Sequence, residues 1–283
     1  MLRKGRYIAV VILILFSTNF LFSQDTVVNT AFRAGEYLKY RVYYSSSLGN
    51  LTAGEAILTV ENWKNIHGKG AEDVYHITGI GNSKGMFNWF FKVRDKFESF
   101  VDKQTLLPYI FIRKTREGKY KQDSRVIFDR EKNEAVTNSN PPKKVPPDIH
   151  DFVSALYYMR TIKVEDFDAD SLYYINFFLD DSVYTSAIKY NGKENIKTKW
   201  GMVRCLKIAP MMASGEVFAE KYPMYVYVSD DESHVPVFAE SEVVVGSVKM
   251  ELIEYNNLTE SMVMEPKKIK SRGDKDTKNP EIY

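Results

Sequence analysis

The chain has 283 residues, of which 44% are hydrophobic and 27% charged, and its formal net charge is +2. This composition is typical of a folded chain rather than a disordered one. The near-neutral charge disfavours a nucleic-acid partner, because a dedicated nucleic-acid binder usually carries a strongly basic face. The single cysteine, Cys205, cannot close an internal disulfide and excludes a zinc site built on several thiolates.

The N-terminus has the parts of a secretory signal. Arg3, Lys4 and Arg6 precede a long apolar run, and the small residue Ser23 follows that run. We therefore predict a signal peptide over residues 1–23 and a periplasmic or outer-envelope location. A retained transmembrane anchor is the alternative, because the run approaches the ~20 residues that a span requires. Cleavage would remove three of the 39 basic residues and none of the 37 acidic ones, so the exported chain would stay nearly neutral.

Short runs of alternating apolar and polar residues dominate the rest of the chain. They are rich in Val, Ile, Thr, Tyr and Phe, and a period of two is typical of half-buried strands. The runs are 36–44, 54–63, 74–80, 93–101, 109–115, 124–129, 172–179, 182–190, 202–208, 222–229, 237–242 and 244–255.

Turn residues separate these runs. Asn191-Gly192 lies between two of them and is the strongest hairpin signal, because a type I′ turn requires positive φ at both central positions. Asp180-Asp181 is a further turn candidate. The regular spacing of short runs and turns favours an antiparallel sheet over a parallel α/β fold.

One segment, residues 148–162, has helical periodicity instead. Phe152, Leu156 and Met159 recur at helical spacing, and either of two aspartates near the start can cap the helix. We predict that these three side chains are buried against the concave face of the sheet.

The runs and the helix predict a single all-β domain over residues 32–256. It is mostly antiparallel and forms a curved sheet or half-open barrel with one packed α-helix, and a two-sheet sandwich is the alternative. Residues 24–31 form an N-terminal link, and a proline-rich stretch at 138–147 predicts an extended, exposed connector. Residues 257–283 have no apolar period and are predicted to be a disordered polar tail.

Two further sequence features are interpreted as structural. Asp95 lies at the start of a predicted strand and Arg160 at the end of the predicted helix, so we predict an ion pair that holds the helix to the sheet. Gly35-Glu36, at the start of the first predicted strand, is also assigned a structural role.

Signatures of catalysis and metal binding are missing from the sequence. It has no nucleophile elbow and no glycine-rich phosphate loop. The four histidines lie at no metal-ligand spacing, and His150 beside Asp151 is interpreted as part of a helix cap rather than an acid/base pair. We therefore predict no catalytic residue, no metal and no cofactor. A hydrolase acting on envelope polymers is a less favoured alternative, which would require a carboxylate or histidine cluster inside a cleft.

Aromatic residues make up 14% of the chain, and most of them suit core packing. Three segments outside the regular strands nevertheless suggest a ligand site: the aromatic stretch 86–91, the helix that follows Asp148, and residues 211–215. If they meet at one end of the sheet, they form a lid over an apolar ligand. The candidate residues are Phe87, Trp89, Phe90, Phe152, Tyr157, Met211 and Met212. The alternative is that residues 86–91 plug the core.

Several strings occur in a specific order: FRAGEYLKY at 32–40, DKFES at 95–99, DFVSALYYMR at 151–160 and YVSDD at 227–231. In this order the chain resembles the exported bacterial family catalogued as domain of unknown function 3108. The resemblance implies a mostly β envelope protein with no settled activity, so no catalytic residues are carried over. We predict a monomeric, non-catalytic envelope protein that binds a hydrophobic or elongated ligand, such as a lipid, glycan or peptide, in its β concavity. The alternative is an envelope scaffold or assembly factor with a filled core and an envelope protein as its partner.

Overall fold

A computed structural model describes residues 26–63, 74–138, 140–166, 172–212, 224–243 and 245–264. The strands in these residues are β1 (Tyr37–Ser46), β2 (Gly49–Trp63), β3 (Val74–Ser83), β4 (Arg94–Asp102), β5 (Pro108–Glu117), β6 (Tyr120–Asp129), β7 (Glu134–Thr137), β8 (Lys143–Lys144), β9 (Leu172–Leu179), β10 (Ser182–Thr198), β11 (Gly201–Met212), β12 (Met224–Ser229), β13 (Pro236–Glu242) and β14 (Ser247–Asn256). The helices are α1 (Phe87–Phe90), α2 (Phe152–Met159) and the 3-10 helix η1 (Val164–Asp166). Among the described residues, no helix is long and apolar enough to cross a membrane.

All of these strands belong to one antiparallel sheet, whose order is β8-β7-β6-β5-β4-β3-β2-β1-β14-β13-β12-β11-β10-β9. Two meanders, β1 to β8 and β9 to β14, are joined where β1 pairs with β14. The prediction of an all-β, mostly antiparallel fold is confirmed.

The sheet curls until its two edges approach each other along a seam. His150 pairs in parallel with Phe177 of the edge strand β9, and its N–H donates to the carbonyl of Asn176 at 2.9 Å. Further along the seam, Arg113 of β5 forms an ion pair with Asp180, in the β9–β10 turn, at 2.8 Å. The result is a half-open barrel rather than a two-sheet sandwich.

Helix α2 begins later and ends earlier than the predicted segment 148–162. Asp151 caps it, since its carboxylate accepts the backbone N–H groups of Val153 at 2.8 Å and Ser154 at 2.9 Å. The helix has 8 residues, which is about two turns. It cannot begin earlier because the backbone at His150 is already paired with β9.

The buried face of α2 also differs from the prediction. Val153 and Tyr157 are buried, and the Tyr157 ring meets the Phe32 ring edge-on with centroids 4.8 Å apart. Leu156 and Met159 are only partly buried. Phe152, which was predicted to be buried, is 51% exposed, because the first residue of the helix projects beyond the packed part of the interior.

The hairpin prediction at Asn191-Gly192 is wrong. These residues lie within the long strand β10, where the register shifts by a bulge and Gly192 has φ +88°. A turn is not formed because the residues after the bulge continue the ladder with β11. The two-residue hairpin is formed by Asp180 and Asp181 instead, with φ +46° and +61°.

Residues 257–264 are not part of a disordered tail. Leu258 and Met262 are buried in one apolar cluster with Leu38 of β1 and Cys205 of β11. Met264 forms a bridge with Val203 of β11. The absence of apolar periodicity misled the prediction, because two spaced apolar residues are enough to fix an irregular segment. The remaining tail residues, 265–283, lie outside the described residues.

Strands that alternate in direction place the turns on two rims. The upper rim is the end of the barrel that carries the β1–β2, β3–β4, β5–β6, β9–β10 and β13–β14 connections. The lower rim is the end that carries the β4–β5, β6–β7, β10–β11 and β12–β13 connections. Arg160, at the end of α2, donates to the carbonyl of Ser233 in the β12–β13 turn at 3.1 Å. Helix α2 therefore fills the interior toward the lower rim.

Candidate functional site

Above the start of α2 the inner face of the sheet carries small residues. Gly79 and Gly81 of β3 lie in register with Phe97 and Asp95 of β4. A Cβ atom on Gly79 would contact the Leu58 side chain at 3.3 Å, whereas a Cβ atom on Gly81 would meet nothing within 4 Å. The inner wall is therefore bare at Gly81, between α2 and the upper rim.

Phe152 borders this bare wall. Its ring centroid lies 6.1 Å from that of Phe97, and Phe97 stacks at 6.5 Å on Phe111 of β5. Half of the Phe152 side chain is exposed although its neighbours on α2 are buried. Phe152, Phe97 and Gly81 thus outline an apolar concavity that opens toward the upper rim, which we call the concave site.

A polar wall lies beside the glycines, on the neighbouring strands β4 and β5. Arg113, in register with Phe97, donates to the Thr115 hydroxyl at 3.0 Å and to the Asp180 carboxylate at 2.8 Å. The buried carboxylate of Asp95 accepts a backbone N–H of β5 at 2.9 Å. Most charges on this wall are therefore already paired inside the protein.

Glu117 adds a second carboxyl group beside Asp95. Its pKa is raised, first because burial disfavours the carboxylate and then because the negative charge of Asp95 is close. The pair can hold a proton or accept hydrogen bonds from hydroxyl groups. It is the one carboxyl pair on the described inner wall that the hydrolase alternative could use.

The structure separates the predicted lid residues. On α1, Phe87 is partly buried, whereas Trp89 and Phe90 are 82% and 71% exposed, so the idea that this segment plugs the core is wrong. Tyr157 is buried against Phe32 and belongs to the core. Of the seven predicted residues, only Phe152 borders the concave site among those whose side chains are described.

The predicted methionines lie at the upper end of β11. Met211 and Met212 pair with Ala187 and Ser186 of β10, and their side chains, like residues 213–215, lie outside the described part of the structure. Helix α1 contacts β2, and β1, β14, β13 and β12 separate β2 from β11. Helix α1 and the end of β11 therefore lie on the same rim but are separated along it by four strands.

A cavity of about 280 Å³ lies beside α1, and its lining is polar. The Asn88 side-chain oxygen accepts hydrogen bonds from the Ser83 hydroxyl at 3.0 Å and from Arg94 at 2.9 Å. The lining residues are Asn82, Ser83, Lys84, Gly85, Asn88 and Arg94, and none of them is a predicted site residue. This network fixes the loop that carries α1.

The predicted Asp95–Arg160 ion pair is wrong. Arg160 binds Glu36 in a bidentate pair, with distances of 2.7 and 2.8 Å, and both side chains are buried. Asp95 lies at the upper end of β4, whereas Arg160 ends α2 at the lower rim. The structural role predicted for Gly35-Glu36 and Arg160 therefore holds, but with a different partner.

His150 and Asp151 are structural. Burial, and secondarily the nearby Arg130 charge, lowers the pKa of His150 to about 3, so the ring stays neutral. Burial raises the pKa of Asp151 to about 6 in spite of its hydrogen bonds, which include one from the Ser99 hydroxyl at 2.5 Å.

Cys205 is buried and its pKa is raised to about 12, chiefly by burial. In the described part of the chain no three His, Cys, Asp or Glu residues are placed to hold a metal ion.

The residues that sequence reasoning missed are Gly79, Gly81 and Phe97. A signal was present, because Gly-x-Gly inside an alternating run places both glycines on one face of a strand. Glycine within a strand often marks the close approach of a ligand or another backbone.

The fold and the concave site define a half-open antiparallel barrel with an internal helix and an aromatic-lined mouth. The chain belongs to the family described as "Protein of unknown function (DUF3108)", whose model matches residues 39–253. A comparison with curated proteins finds no match.

Several solved structures are similar to this chain at low sequence identity. The beta-barrel-like protein of domain of unknown function DUF1849 from Brucella abortus is 11% identical, with a TM-score of 0.51 over 80% of this chain and 99% of that chain. A candidate exported protein with a YmcC-like fold from Bacteroides fragilis is 11% identical, with a TM-score of 0.33 over 82% of this chain and 100% of its own. A candidate lipoprotein from Parabacteroides distasonis is also 11% identical, with a TM-score of 0.36 over 82% of this chain and 99% of its own.

Proposed function

We propose that the protein is an exported, non-catalytic envelope protein that holds the apolar part of an elongated ligand in the concave site. The observation that supports this most directly is Phe152, whose half-exposed ring stands beside the bare wall at Gly81. An apolar chain laid along Phe152 and Phe97 would remove this surface from water at ~25 cal/mol per Å².

The polar wall favours a lipid-like amphiphile among the three ligand classes. Arg113 is paired with Asp180, so the wall offers no free cation for an acidic headgroup. The carboxyl groups of Asp95 and Glu117 offer hydrogen-bond acceptors. A ligand with an acyl chain and a hydroxylated, uncharged head matches this combination of surfaces.

Export is proposed from the sequence. The basic residues before the apolar run and the small residue Ser23 support a signal peptide over residues 1–23. An envelope location would bring the protein close to lipids and glycans, and no nucleic-acid partner is proposed.

Binding of a dansyl-labelled monoacylglycerol, whose head is hydroxylated and uncharged, to the purified exported chain tests the proposal. Gly81→Leu should fill the concave site, and Phe152→Ala should remove its aromatic wall. Each should weaken binding by about tenfold or more, which corresponds to ~1.4 kcal/mol. Tyr174→Ala, on the outward side of β9, is the matched control because Tyr174 is similarly exposed at 57%, and it should bind like the unsubstituted protein. Organic extraction and mass spectrometry of the same preparation should reveal a co-purified lipid.

The alternatives predict different results. A scaffold with a filled interior would show no probe binding and no extracted lipid, which would overturn the proposal. A hydrolase would cleave an envelope polymer or ester, and Glu117→Gln would abolish that cleavage. A peptide or glycan ligand would appear in the extract in place of a lipid and would correct the ligand class.

A further inference from the structure

Large apolar side chains cluster on the upper rim, outside the concave site. Met86, Trp89, Phe90 and Phe91 are each more than half exposed, and the Trp89 and Phe90 rings lie 4.9 Å apart. We call these four residues the rim patch. A contiguous exposed patch of this kind marks an interaction surface, whereas single exposed apolar residues are ordinary.

The rim patch is held in place by its neighbours. The backbone N–H of Gly118 donates to the carbonyl of Lys92 at 2.9 Å, and the N–H of Lys84 donates to the carbonyl of Ala53 at 2.8 Å. The Phe91 ring lies directly over Gly118, where an added Cβ atom would come within 3.0 Å of it. The loop between β3 and β4 is thus tied to strand β2 on one side and to the β5–β6 turn on the other, and its residues Trp89 and Phe90 are exposed.

Other turns of the same rim extend the apolar surface. Leu48 in the β1–β2 turn is fully exposed, and Tyr120 after the β5–β6 turn and Val245 between β13 and β14 are more than half exposed. These side chains project from the same end of the barrel as the rim patch.

Free positive charge surrounds the rim patch. Lys92, Lys119 and Lys121 are exposed, and none of them forms an ion pair with a carboxylate of the described residues. The nearby acids are engaged elsewhere: Asp123 binds Arg116 at 2.7 Å, and Glu55 binds Lys84 at 2.8 Å.

We propose that the rim patch docks onto the surface of an anionic lipid bilayer. Tryptophan and phenylalanine side chains enter the interface between headgroups and acyl chains, and the three lysines contact lipid phosphates. A second copy of the chain fits less well, because a twofold contact through this patch would bring the same lysines together. Docking would turn the mouth of the concave site toward the membrane, but the proposal does not depend on ligand binding there.

Co-sedimentation with vesicles tests the proposal. The purified exported chain should bind vesicles of phosphatidylcholine with one third phosphatidylglycerol, and should bind pure phosphatidylcholine vesicles much less. Trp89→Ser with Phe90→Ser should reduce the partition coefficient at least tenfold. Lys92→Glu with Lys119→Glu should reduce it by a similar factor and abolish its dependence on salt.

Matched controls carry the same changes elsewhere on the surface. Tyr174→Ser removes an exposed aromatic residue from β9, and Lys197→Glu with Lys199→Glu reverses two exposed charges near the lower rim. These variants should bind like the unsubstituted protein. In a variant that keeps only Trp89, made by Trp63→Phe and Trp200→Phe, vesicles should shift the tryptophan emission to shorter wavelength.

Three results would overturn the proposal: no binding to anionic vesicles by the folded protein, equal loss of binding in patch and control variants, or an unchanged Trp89 emission. Sedimentation of the free protein as a dimer that Trp89→Ser dissociates would assign the patch to a second copy instead. Monoacylglycerol binding is measured without vesicles, so failure of either proposal leaves the other separately testable.

Discussion

The buried charge of Arg160 is the clearest single-residue determinant of this fold. Its guanidinium donates to both carboxylate oxygens of Glu36 and to the backbone carbonyls of Ala31 and Ser233. The four bonds join the end of α2 to the start of β1 and to the β12–β13 turn. A buried guanidinium is tolerated when its charge and donors are satisfied in this way.

Loss of Glu36 alone should therefore be severe. Glu36→Ala leaves a buried unpaired charge and should lower the free energy of unfolding by about 3–5 kcal/mol in urea denaturation. The double variant Glu36→Leu with Arg160→Met removes both charges and should recover a large part of the loss. Arg41→Ala, which breaks the half-exposed Arg41–Glu251 pair of 2.7 Å, should cost no more than ~1 kcal/mol.

The opposite ranking would contradict this view of the pair. If Glu36→Ala cost as little as Arg41→Ala, water would reach Arg160 and the charge would not be buried. Sequence reasoning assigned Arg160 to the helix–sheet contact but chose Asp95 as its partner. The sequence shows that Asp95 and Arg160 carry opposite charges. The rim on which each of them lies depends on the path of the whole chain, which the sequence does not show.

At the scale of elements, alternation predicted the strands well. The run 172–179 matches β9 at both ends, and the other runs overlap the strands that form. The exceptions have physical causes. Strands β7 and β8, of 4 and 2 residues, were not predicted because they are too short to show a period, and β8 lies inside a proline-rich stretch. The helix is shortened because its first predicted turn is paired with the sheet edge.

Two glycines with positive φ separate conformational strain from steric conflict. Gly192, in the β10 bulge, has φ +88° and open space where a Cβ atom would stand, whereas Gly246, in the β13–β14 turn, has φ +79° and its Cβ would collide with the Ser45 carbonyl and the Tyr44 ring. Gly192→Ala should lower the free energy of unfolding by about 1–2 kcal/mol, because it introduces backbone strain but no steric conflict.

Gly246→Ala should cost more than Gly192→Ala by at least ~1 kcal/mol, because a backbone oxygen has to move as well. Thermal and urea unfolding of the two variants measure the difference. Equal costs would show that the β13–β14 turn yields easily and that its register does not rest on close packing. The sequence alone predicted a turn at Gly192. The residues after Gly192 stay in β10 because they pair with β11, and the local sequence does not show this pairing.

At the scale of the molecule, closure of the barrel is the feature that could not be predicted from the sequence. The seam joins β9 and the β9–β10 turn to segments that come earlier in the chain. Asp180 binds Arg113 at 2.8 Å and the Gln122 amide at 3.2 Å, while Asp181 binds Lys143 at 2.6 Å. A curved sheet was predictable from strand count, but contacts between a turn and distant strands were not.

The Asp180-Asp181 turn should therefore act as the clasp of the upper seam. Asp180→Asn with Asp181→Asn keeps residues that tolerate positive φ but removes both charges. We expect amide exchange at Phe178, whose N–H donates to the carbonyl of His150 at 2.8 Å, to become about fivefold faster, while global stability falls by ~1 kcal/mol or less. Asp230→Asn is the control, because it breaks an ion pair with Lys193 of 2.9 Å at the lower rim and should leave exchange at the seam unchanged. Unchanged exchange in the double variant would mean that the backbone bridge at His150 holds the barrel closed without help from these charges.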